Sequence, residues 1–315
     1  MTLPIVEYLQ QLEALRKRRV ILYVTEDRSP AKLIDDPDID IFYHCLRRFA
    51  TPHQLDLVLH TMGGKVSVSH RIHQLLRSYA PHVDVLVPRR ARSSGTLLCL
   101  GADNVVMTPI AELSPLDPHI AGGDTASGMP ASISAEDIRA LRQMAETWFG
   151  LQSEESRIEV FRVLGERIFP TTLSSFFRAD QQMRQIADKM LQCQLPDQTQ
   201  LRQQIVERLI SGYYAHDTKI SLSEAQDIGL RVVAASAAEE EFLVGLWQAC
   251  HDYFNTLMVD EEAGGFVRIN GLIASTNFVA RHVLTLTQMA SGDGTIGERV
   301  SPMESLMGGY WEIIS

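Results

Sequence analysis

Lysine is scarce in this chain: only five of its 315 residues are lysines, and the formal net charge is −10. Nucleic-acid binding depends on a basic face that neutralises phosphates, so this charge balance argues against a nucleic-acid partner. The two short basic runs, at residues 16–19 and 89–90, are predicted to be solvated surface positions.

Cysteine pairs and long apolar runs are also missing. The four cysteines are scattered and form no CxxC pair, a pattern that favours unpaired thiols in a reducing compartment over a disulfide framework or a zinc site. The N-terminal stretch has no apolar run of signal-peptide type, and no 18-residue apolar stretch follows it. We therefore expect a soluble, cytoplasmic protein without a membrane span. No GxGxxG motif follows directly on a predicted strand, and no metal-ligand spacing occurs, so neither a cofactor nor a metal is expected.

Strand and helix patterns alternate in the N-terminal third of the chain. Short apolar runs predict buried strands at 20–25, 55–61, 83–88 and 104–108. Apolar spacings of three and four predict helices at 4–19, 36–49, 66–79 and from the two serines to about 102. Such alternation implies parallel strands and an α/β fold. The pattern then turns helical to about 210, and a further helix at 237–257 precedes a β-rich remainder.

Two loops follow neighbouring predicted strands, at the strand ends where α/β folds place their sites. In HTMGGKV, the pair Gly63 and Gly64 predicts either a tight turn with positive φ or backbone N–H groups open to a ligand. In ARSSGT, Ser93 and Ser94 are each a helix cap or a nucleophile. Together the loops contain what acyl transfer requires, a nucleophile beside an oxyanion hole.

A serine nucleophile needs a base, and the histidines and lysines can be enumerated. Lys65 and Lys219 remain open as partners in a Ser–Lys dyad. His119 and His216 lie in predicted loops and remain open as bases. The other histidines considered are expected elsewhere, His60 in the core and His70 and His73 on a helix surface.

Four sequence blocks occur in a fixed order: VLHTMGGKV, VPRRARSSGTLLCLGADNVVMTP, ELSPLDPHI and YAHDTKISLSEAQDIGL. They resemble the serine dehydrogenase proteinase family, within the Clp protease, signal peptide peptidase A and crotonase superfamily. The resemblance covers about 5–120 and 210–233. It implies a Clp/crotonase-like spiral of repeated β-β-α units over 1–235, with a helical insert at about 134–210 and a C-terminal α+β appendage at 236–315. Met62, Ser94 and Ser114 depart from the family's pattern.

The family pattern also assigns roles to single positions. It implies that Ser93 is the nucleophile, which leaves Ser94 as the expected helix cap. The backbone N–H of Ser94, with that of Gly63 or Gly64, would form the oxyanion hole.

The base and the acid that orients it follow from the same resemblance. His119 follows Ser93 at about the interval that separates the catalytic histidine from the serine in the Clp branch. Asp217 precedes Gly229 at the interval that separates the aspartate of that branch from its helix glycine. In closer relatives the residue after Asp-Pro is often glutamine, so His216 stays the alternative base.

The implied activity is that of a serine endopeptidase, independent of ATP in itself, that hydrolyses peptide bonds of proteins or peptides. Two alternatives remain: a catalytically inactive Clp-fold scaffold that binds a partner, and a crotonase-like acyl-CoA enzyme. The resemblance also implies a homo-oligomer. The segments outside the match, 134–210 and 237–315, are expected to cover the site, build the oligomer interface or bind a regulatory protein.

Overall fold

The computed structural model describes residues 3–28, 32–49, 54–124, 130–260, 265–286, 288–290, 296–298 and 309–314. Within them, helices α1 to α10 span Leu3–Arg16, Pro37–Leu46, Val66–Tyr79, Ser94–Leu100, Ala135–Trp148, Glu154–Arg167, Pro170–Leu191, Thr199–Ser211, Leu222–Ile228 and Ala237–Phe254. Strands β1 to β15 span Arg19–Thr25, Gln54–His60, His82–Val87, Arg90–Ala91, Val105–Met107, Glu112–Leu113, His119–Asp124, Pro130–Ser134, Val232–Ala234, Leu257–Asp260, Gly265–Ser275, Phe278–Leu286, Gln288–Ala290, Ile296–Glu298 and Tyr310–Ile313. The strands and helices predicted for the N-terminal third are thus confirmed, with small differences at their ends.

The central sheet is mixed. Among the described residues its strand order is β15-β12-β11-β1-β2-β3-β5-β9, and β10 pairs with β11. Strands β1, β2, β3, β5 and β9 pair in parallel, which confirms the predicted α/β class. Strand β11 pairs antiparallel with β1, so C-terminal strands extend the same sheet. The predicted division between 1–235 and 236–315 remains a prediction, and the sheet runs across it.

A second, shorter ladder runs beside the carboxyl ends of the parallel strands. After β1 comes Ile34, which bridges to Gly64; after β2 comes Thr61, which bridges to Ala91. Strand β4, which follows β3, pairs in parallel with β6. Each long strand is therefore followed by a short second strand or a single bridging residue, and β1, β2 and β3 lead on to α2, α3 and α4. This is the repeated β-β-α unit that the resemblance implies.

Helices cover the sheet because its strands are apolar on both faces. Leu9 and Leu12 of α1 and Leu243 of α10 lie in one buried cluster with Val20 and Leu22 of β1. Successive strand residues point to opposite faces. Tyr23 accordingly lies on the other face, with its ring edge-on to that of Phe42 in α2 at 5.1 Å between centroids.

The basic run at 16–19 differs from the sequence expectation. Arg16 and Arg18 are largely buried, and both form ion pairs with Asp56 and Asp84. The parallel register of β2 and β3 places these two aspartates side by side, and buried carboxylates require a cation partner. The prediction of solvated surface positions is therefore wrong for Arg16 and Arg18.

The chain divides into two compact units. The first, here called the sheet unit, comprises Met1–Leu113 and Lys219–Ser315, and the second, the helical unit, comprises Ser114–Thr218. The helical insert predicted at about 134–210 falls within the helical unit. In the part of the chain that is described, no helix combines the length and the apolar character needed to cross a membrane.

Candidate active site

The two loops identified in the sequence lie side by side in the sheet unit. The Thr61 N–H donates to the Arg90 carbonyl oxygen at 2.9 Å, and the Arg92 N–H donates to the Thr61 carbonyl oxygen at 3.0 Å. These two hydrogen bonds fix the loop that contains Gly63 and Gly64 against the loop that contains Ser93.

Both glycines are required by the backbone. Gly63 has φ 102° and Gly64 has φ 150°, which confirms the predicted turn with positive φ. A Cβ on Gly63 would stand 2.8 Å from the Arg92 carbonyl oxygen and 2.8 Å from the Ser93 Cβ. A Cβ on Gly64 would stand 2.3 Å from the Ile34 carbonyl oxygen. Neither position has room for a side chain.

The two glycine amides differ in their hydrogen bonds. The Gly63 N–H donates to Thr61 Oγ1 at 3.1 Å, whereas the Gly64 N–H makes no hydrogen bond within the part of the chain that the structure describes. Of the two amides that the sequence offers for an oxyanion hole, that of Gly63 is occupied, and that of Gly64 has no acceptor among the described residues.

Ser93 has an unusual backbone. Its φ of 50° and ψ of −119° lie outside the regions that L-residues normally adopt, and such strain costs about 1–3 kcal/mol. Ser93 occupies the N-cap position of α4, yet its side chain makes no capping hydrogen bond. A strained serine on a sharp strand-to-helix turn is the arrangement that exposes the nucleophile of α/β-hydrolases.

Ser94 does not cap the helix either. It is the first residue of α4 and is fully buried, and its Oγ finds no hydrogen-bond partner among the described residues. The expectation that Ser94 is the helix cap is therefore wrong. Its backbone N–H belongs to the first turn, where no intrahelical acceptor exists, and it lies 3.2 Å from the position that a Gly63 Cβ would take.

The predicted base and acid belong to the helical unit. His119 begins β7, and its side chain lies outside the described part of the structure. Asp217 is exposed in a turn that the Thr218 N–H closes onto the Ala215 carbonyl oxygen at 3.1 Å. His216, in the same turn, is half-buried. The roles of His119, His216 and Asp217 therefore stay predictions.

The lysines considered for a Ser–Lys dyad are both exposed. Lys65 forms ion pairs with Asp35 at 2.5 Å and with Asp36 at 2.8 Å. Hydrogen bonds to these two carboxylates, Asp35 first, raise the pKa of the Lys65 ammonium. A general base needs the opposite shift, so Lys65 is unsuited to deprotonate a serine. Lys219 Nζ lies 4.0 Å from Glu112 Oε2.

His60 lies in the core, as predicted. Its Nδ1 accepts the Arg90 N–H at 3.2 Å, and its Nε2 lies 3.7 Å from Asp27 Oδ2. Burial lowers the pKa of His60 below its usual range, although Asp27 opposes this shift. Both ring nitrogens face protein groups, so His60 cannot take a proton from Ser93. His70 and His73 lie half-buried on α3, rather than fully on its surface as expected.

Three of the four cysteines are unsuited to act as nucleophiles. None of the four cysteines, all within described segments, forms a disulfide. Burial raises the pKa of the Cys45 thiol to about 12 and raises those of Cys99 and Cys250 as well. A nucleophilic cysteine requires a lowered pKa, so these three thiols are structural.

One group of side chains has metal-binding residue types that the sequence spacing did not indicate. Ligand atoms of His82, Asp84 and Asp103 lie within 4.8 Å of one another. Asp84 already accepts from Arg16 at 3.0 Å, and Asp103 accepts from Arg77 at 2.7 Å. These guanidinium groups neutralise the carboxylates and would repel a metal cation, so the cluster is better explained as an ion-pair network.

A family model of ClpP-like SDH-type serine proteinases matches residues 9–140. An uncharacterized protein of Methanocaldococcus jannaschii is 23% identical over 234 residues, which are 71% of this chain and 70% of the relative. A second uncharacterized protein of that organism is 34% identical over 89 residues, 28% of this chain and 31% of the relative.

Two solved structures are similar in backbone, both of the membrane-bound stomatin-specific protease 1510-N in variant forms. They have TM-scores of 0.39 and identities of 14% and 16%, and the alignments cover 72% and 76% of this chain and 82% and 83% of those chains.

The family match contains both loops and His119, and it ends before Asp217. The resemblance found in the sequence is confirmed over this range. Over residues 9–140 this chain is similar to the ClpP-like family of SDH-type serine proteinases.

Proposed function

We propose that this protein is a serine peptidase that hydrolyses peptide bonds of proteins or peptides, with Ser93 as its nucleophile. The observation that carries the proposal is the backbone of Ser93. Its φ of 50° is strained, it lies directly against Gly63, and its side chain does not cap the helix that follows. A structural serine would gain nothing from this conformation, whereas a nucleophile gains an exposed hydroxyl beside backbone N–H groups.

In the proposed mechanism, His119 accepts the proton of Ser93 Oγ as the oxygen attacks the scissile carbonyl carbon. The carbonyl π electrons move to oxygen, and the N–H groups of Ser94 and Gly64 donate hydrogen bonds to that oxyanion. His119 then gives its proton to the leaving amine as the C–N bond breaks, which leaves an acyl-enzyme. A water molecule attacks the ester in the same way and releases Ser93. Asp217 orients His119 and stabilises the imidazolium.

The test uses the two adjacent serines as variant and matched control. A fluorophosphonate probe should label the wild type and should fail to label Ser93→Ala. Ser94→Ala should keep wild-type labelling, since the Oγ of Ser94 has no hydrogen-bond partner in the described structure and only its backbone N–H is used. Labelling of Ser93→Ala at the wild-type rate would refute the assignment.

The base is tested separately. His119→Ala should lower the labelling rate about 100-fold or more, and His216→Ala should leave it near the wild-type value. The reverse result would transfer the role of base to His216. Asp217→Asn should also lower the rate, since an orienting acid fixes the imidazole tautomer.

The two alternative functions predict other outcomes of the same experiment. A folded wild type that no probe labels would support the scaffold. Binding of CoA thioesters, with activity that survives Ser93→Ala, would support a crotonase-like enzyme.

Besides Ser94, the two residues that depart from the family's pattern lie in described segments. Met62 is half-buried next to Gly63, and Ser114 is buried, with its Oγ donating to the Pro115 carbonyl oxygen at 3.1 Å.

We also propose that the protein self-associates through the segment 148–177 of the helical unit, here called the apolar segment. It exposes an unusual set of large apolar side chains, with Phe169 at 81% exposure: Trp148, Phe149, Ile158, Phe161, Phe169 and Phe177. Large exposed apolar areas on soluble proteins are characteristic of interaction sites.

A second copy of the chain is the occupant that the charges favour. Residues 148–177 contain four acidic and three basic residues. The two signs nearly balance there, so opposite charges on two copies can pair across this segment. Binding of a helix to an anionic membrane requires an excess of basic residues, whereas acidic residues exceed basic ones in this segment.

A further inference from the structure

A buried ion pair lies beside the loop that leads into α2, in the sheet unit. Lys32 Nζ donates to Asp38 Oδ1 at 2.8 Å and to Oδ2 at 3.0 Å, and to the Leu33 carbonyl oxygen at 2.6 Å. Lys32 is 7% exposed and Asp38 is fully buried. Burying an ion pair is favourable only when further hydrogen bonds offset the desolvation of both groups. The other hydrogen-bond donors to Asp38 are therefore essential to the stability of this pair.

Asp38 has three further donors, from three separate parts of the chain. The Trp311 indole N–H donates to Oδ1 at 2.7 Å. The Tyr23 hydroxyl donates to Oδ2 at 2.5 Å, and the Asp35 N–H donates to the same oxygen at 2.9 Å. We call Tyr23, Lys32, Asp38 and Trp311 the Asp38 cluster. It ties β1, α2 and the last strand, β15, to one carboxylate.

The residues between Lys32 and Asp38 lie against the glycine loop. The Ile34 N–H donates to the Gly63 carbonyl oxygen at 2.7 Å, and the Lys65 N–H donates to the Ile34 carbonyl oxygen at 2.9 Å. The Ile34 backbone also fills the space beside Gly64, where a Cβ would stand 2.4 Å from the Ile34 N. The direction of the Gly64 peptide is thus set by the position of Ile34.

We infer that Asp38, Lys32 and Trp311 are positioning residues that hold Ile34 against the glycine loop, so that the Gly64 N–H points to the reacting carbonyl oxygen. The inference rests on the proposed function. Its chain of contacts is short: Trp311 and Lys32 bind Asp38, Asp38 binds the Asp35 N–H, and Ile34 precedes Asp35. A substitution that removes the Trp311 N–H group therefore acts on the glycine loop and does not act directly on Ser93.

The expected result is a change in the chemical step and not in binding. An oxyanion donor that is misplaced by a fraction of an ångström stabilises the transition state less, while the ground-state complex is little altered. Trp311→Phe keeps an aromatic ring but removes the N–H. It should lower the maximal rate of Ser93 labelling by a fluorophosphonate about tenfold, with the half-saturating probe concentration unchanged. Asp38→Asn should lower it further, because the Lys32 charge loses its counter-ion.

Glu312→Gln is the matched control. Glu312 is the neighbour of Trp311 in the same strand, and it pairs with Arg281 at 2.8 Å, away from Asp38. Loss of this exposed pair should leave both labelling parameters at their wild-type values. A fall in labelling for Glu312→Gln equal to that for Trp311→Phe would show that any weakening of β15 suffices, and would overturn the specific role of Asp38.

Amide hydrogen exchange separates this inference from the proposed function. In Trp311→Phe, peptides covering 61–66 should exchange about tenfold faster, while peptides from α8 in the helical unit should exchange as in the wild type. Unchanged exchange at 61–66 overturns the inference, whether or not Ser93 is labelled. Faster exchange with no labelling of the wild type supports the positioning role and refutes the peptidase. Trp311→Phe is the milder change and serves if Asp38→Asn does not fold.

Discussion

Gly63 lies so close to Ser93 that a methyl group on its Cα would stand 2.8 Å from the Ser93 Cβ. The same methyl group would meet the Arg92 carbonyl oxygen at 2.8 Å. A glycine is needed here for two separate reasons, its φ of 102° and the space taken by the serine loop. The second reason links the residue to the candidate nucleophile, and it can be tested apart from the first.

Gly63→Ala should lower the free energy of unfolding by about 2 kcal/mol or more, because the side chain is strained by φ and also clashes with backbone. It should lower Ser93 labelling at least about 100-fold, because the serine loop must move. Urea unfolding and labelling kinetics measure the two effects.

Gly150→Ala is the control that measures the effect of backbone strain alone. Gly150 has a φ of 68°, and nothing lies within 4 Å of the position its Cβ would take. It should cost about 1 kcal/mol with no change in labelling. Wild-type labelling of Gly63→Ala would show that the contact with Ser93 has no bearing on the reaction.

Ser93→Gly should make the protein more stable and inactive at once. Glycine adopts a φ of 50° without strain, so the free energy of unfolding should rise by about 1 kcal/mol, whereas labelling should vanish with the hydroxyl. Lys17→Gly is the matched control, since Lys17 also has a positive φ, of 54°. It should stabilise the fold and leave labelling intact. A Ser93→Gly variant less stable than the wild type would mean that the serine is not strained.

Much of the sheet unit is predictable because its signals are local. Buried parallel strands are continuous apolar runs, and residues 20–25 and 55–61 show this plainly. The pairing of β11 with β1 is different: Leu22 lies opposite Ala274, and no local pattern identifies a partner so far along the chain. The burial of Arg16 was missed for the same reason, since it follows from the register that sets Asp56 beside Asp84.

The candidate site likewise has features that local sequence signals predict and features that depend on distant parts of the chain. Two glycines between a strand and a helix predict a positive φ, and the structure has it at Gly63. That the Gly63 N–H is taken by Thr61 follows from geometry that the sequence does not encode locally. The sequence does not predict that Ile34 contacts Gly64, because a single bridging residue has no periodic pattern. Its part in fixing Gly64 depends on Trp311, which lies near the opposite end of the sequence.

His282 should make stability fall in mild acid. Burial first, and the nearby Lys32 ammonium second, lower the pKa of His282 to about 4, against about 6.5 in an unfolded chain. The folded state therefore holds it neutral, and its Nδ1 lies 2.5 Å from Asn270 Oδ1. Its contribution to the free energy of unfolding is complete above pH 6.5 or so and is lost as the pH falls to about 4, a loss of about 3 kcal/mol.

Urea unfolding at pH 7 and at pH 4.5 measures this loss. His282→Gln should lose less stability between the two values than the wild type does. His44→Gln, which changes an exposed histidine, should lose as much as the wild type. Equal losses in all three proteins would assign the acid sensitivity to other groups.

Substitutions in the apolar segment should weaken self-association of the protein. Phe161→Ser and Phe169→Ser change side chains that are 67% and 81% exposed, so neither should lower the free energy of unfolding by more than about 0.5 kcal/mol. Each removes apolar area that a second copy would bury, so sedimentation velocity should show a lower association constant, and the double variant should show mainly monomer. Tyr310→Ser is the control, because Tyr310 is also exposed but lies on β15 of the sheet unit, and it should leave association unchanged. A wild type that stays monomeric at high concentration, or a double variant that associates as the wild type does, would exclude the apolar segment as the interface between copies.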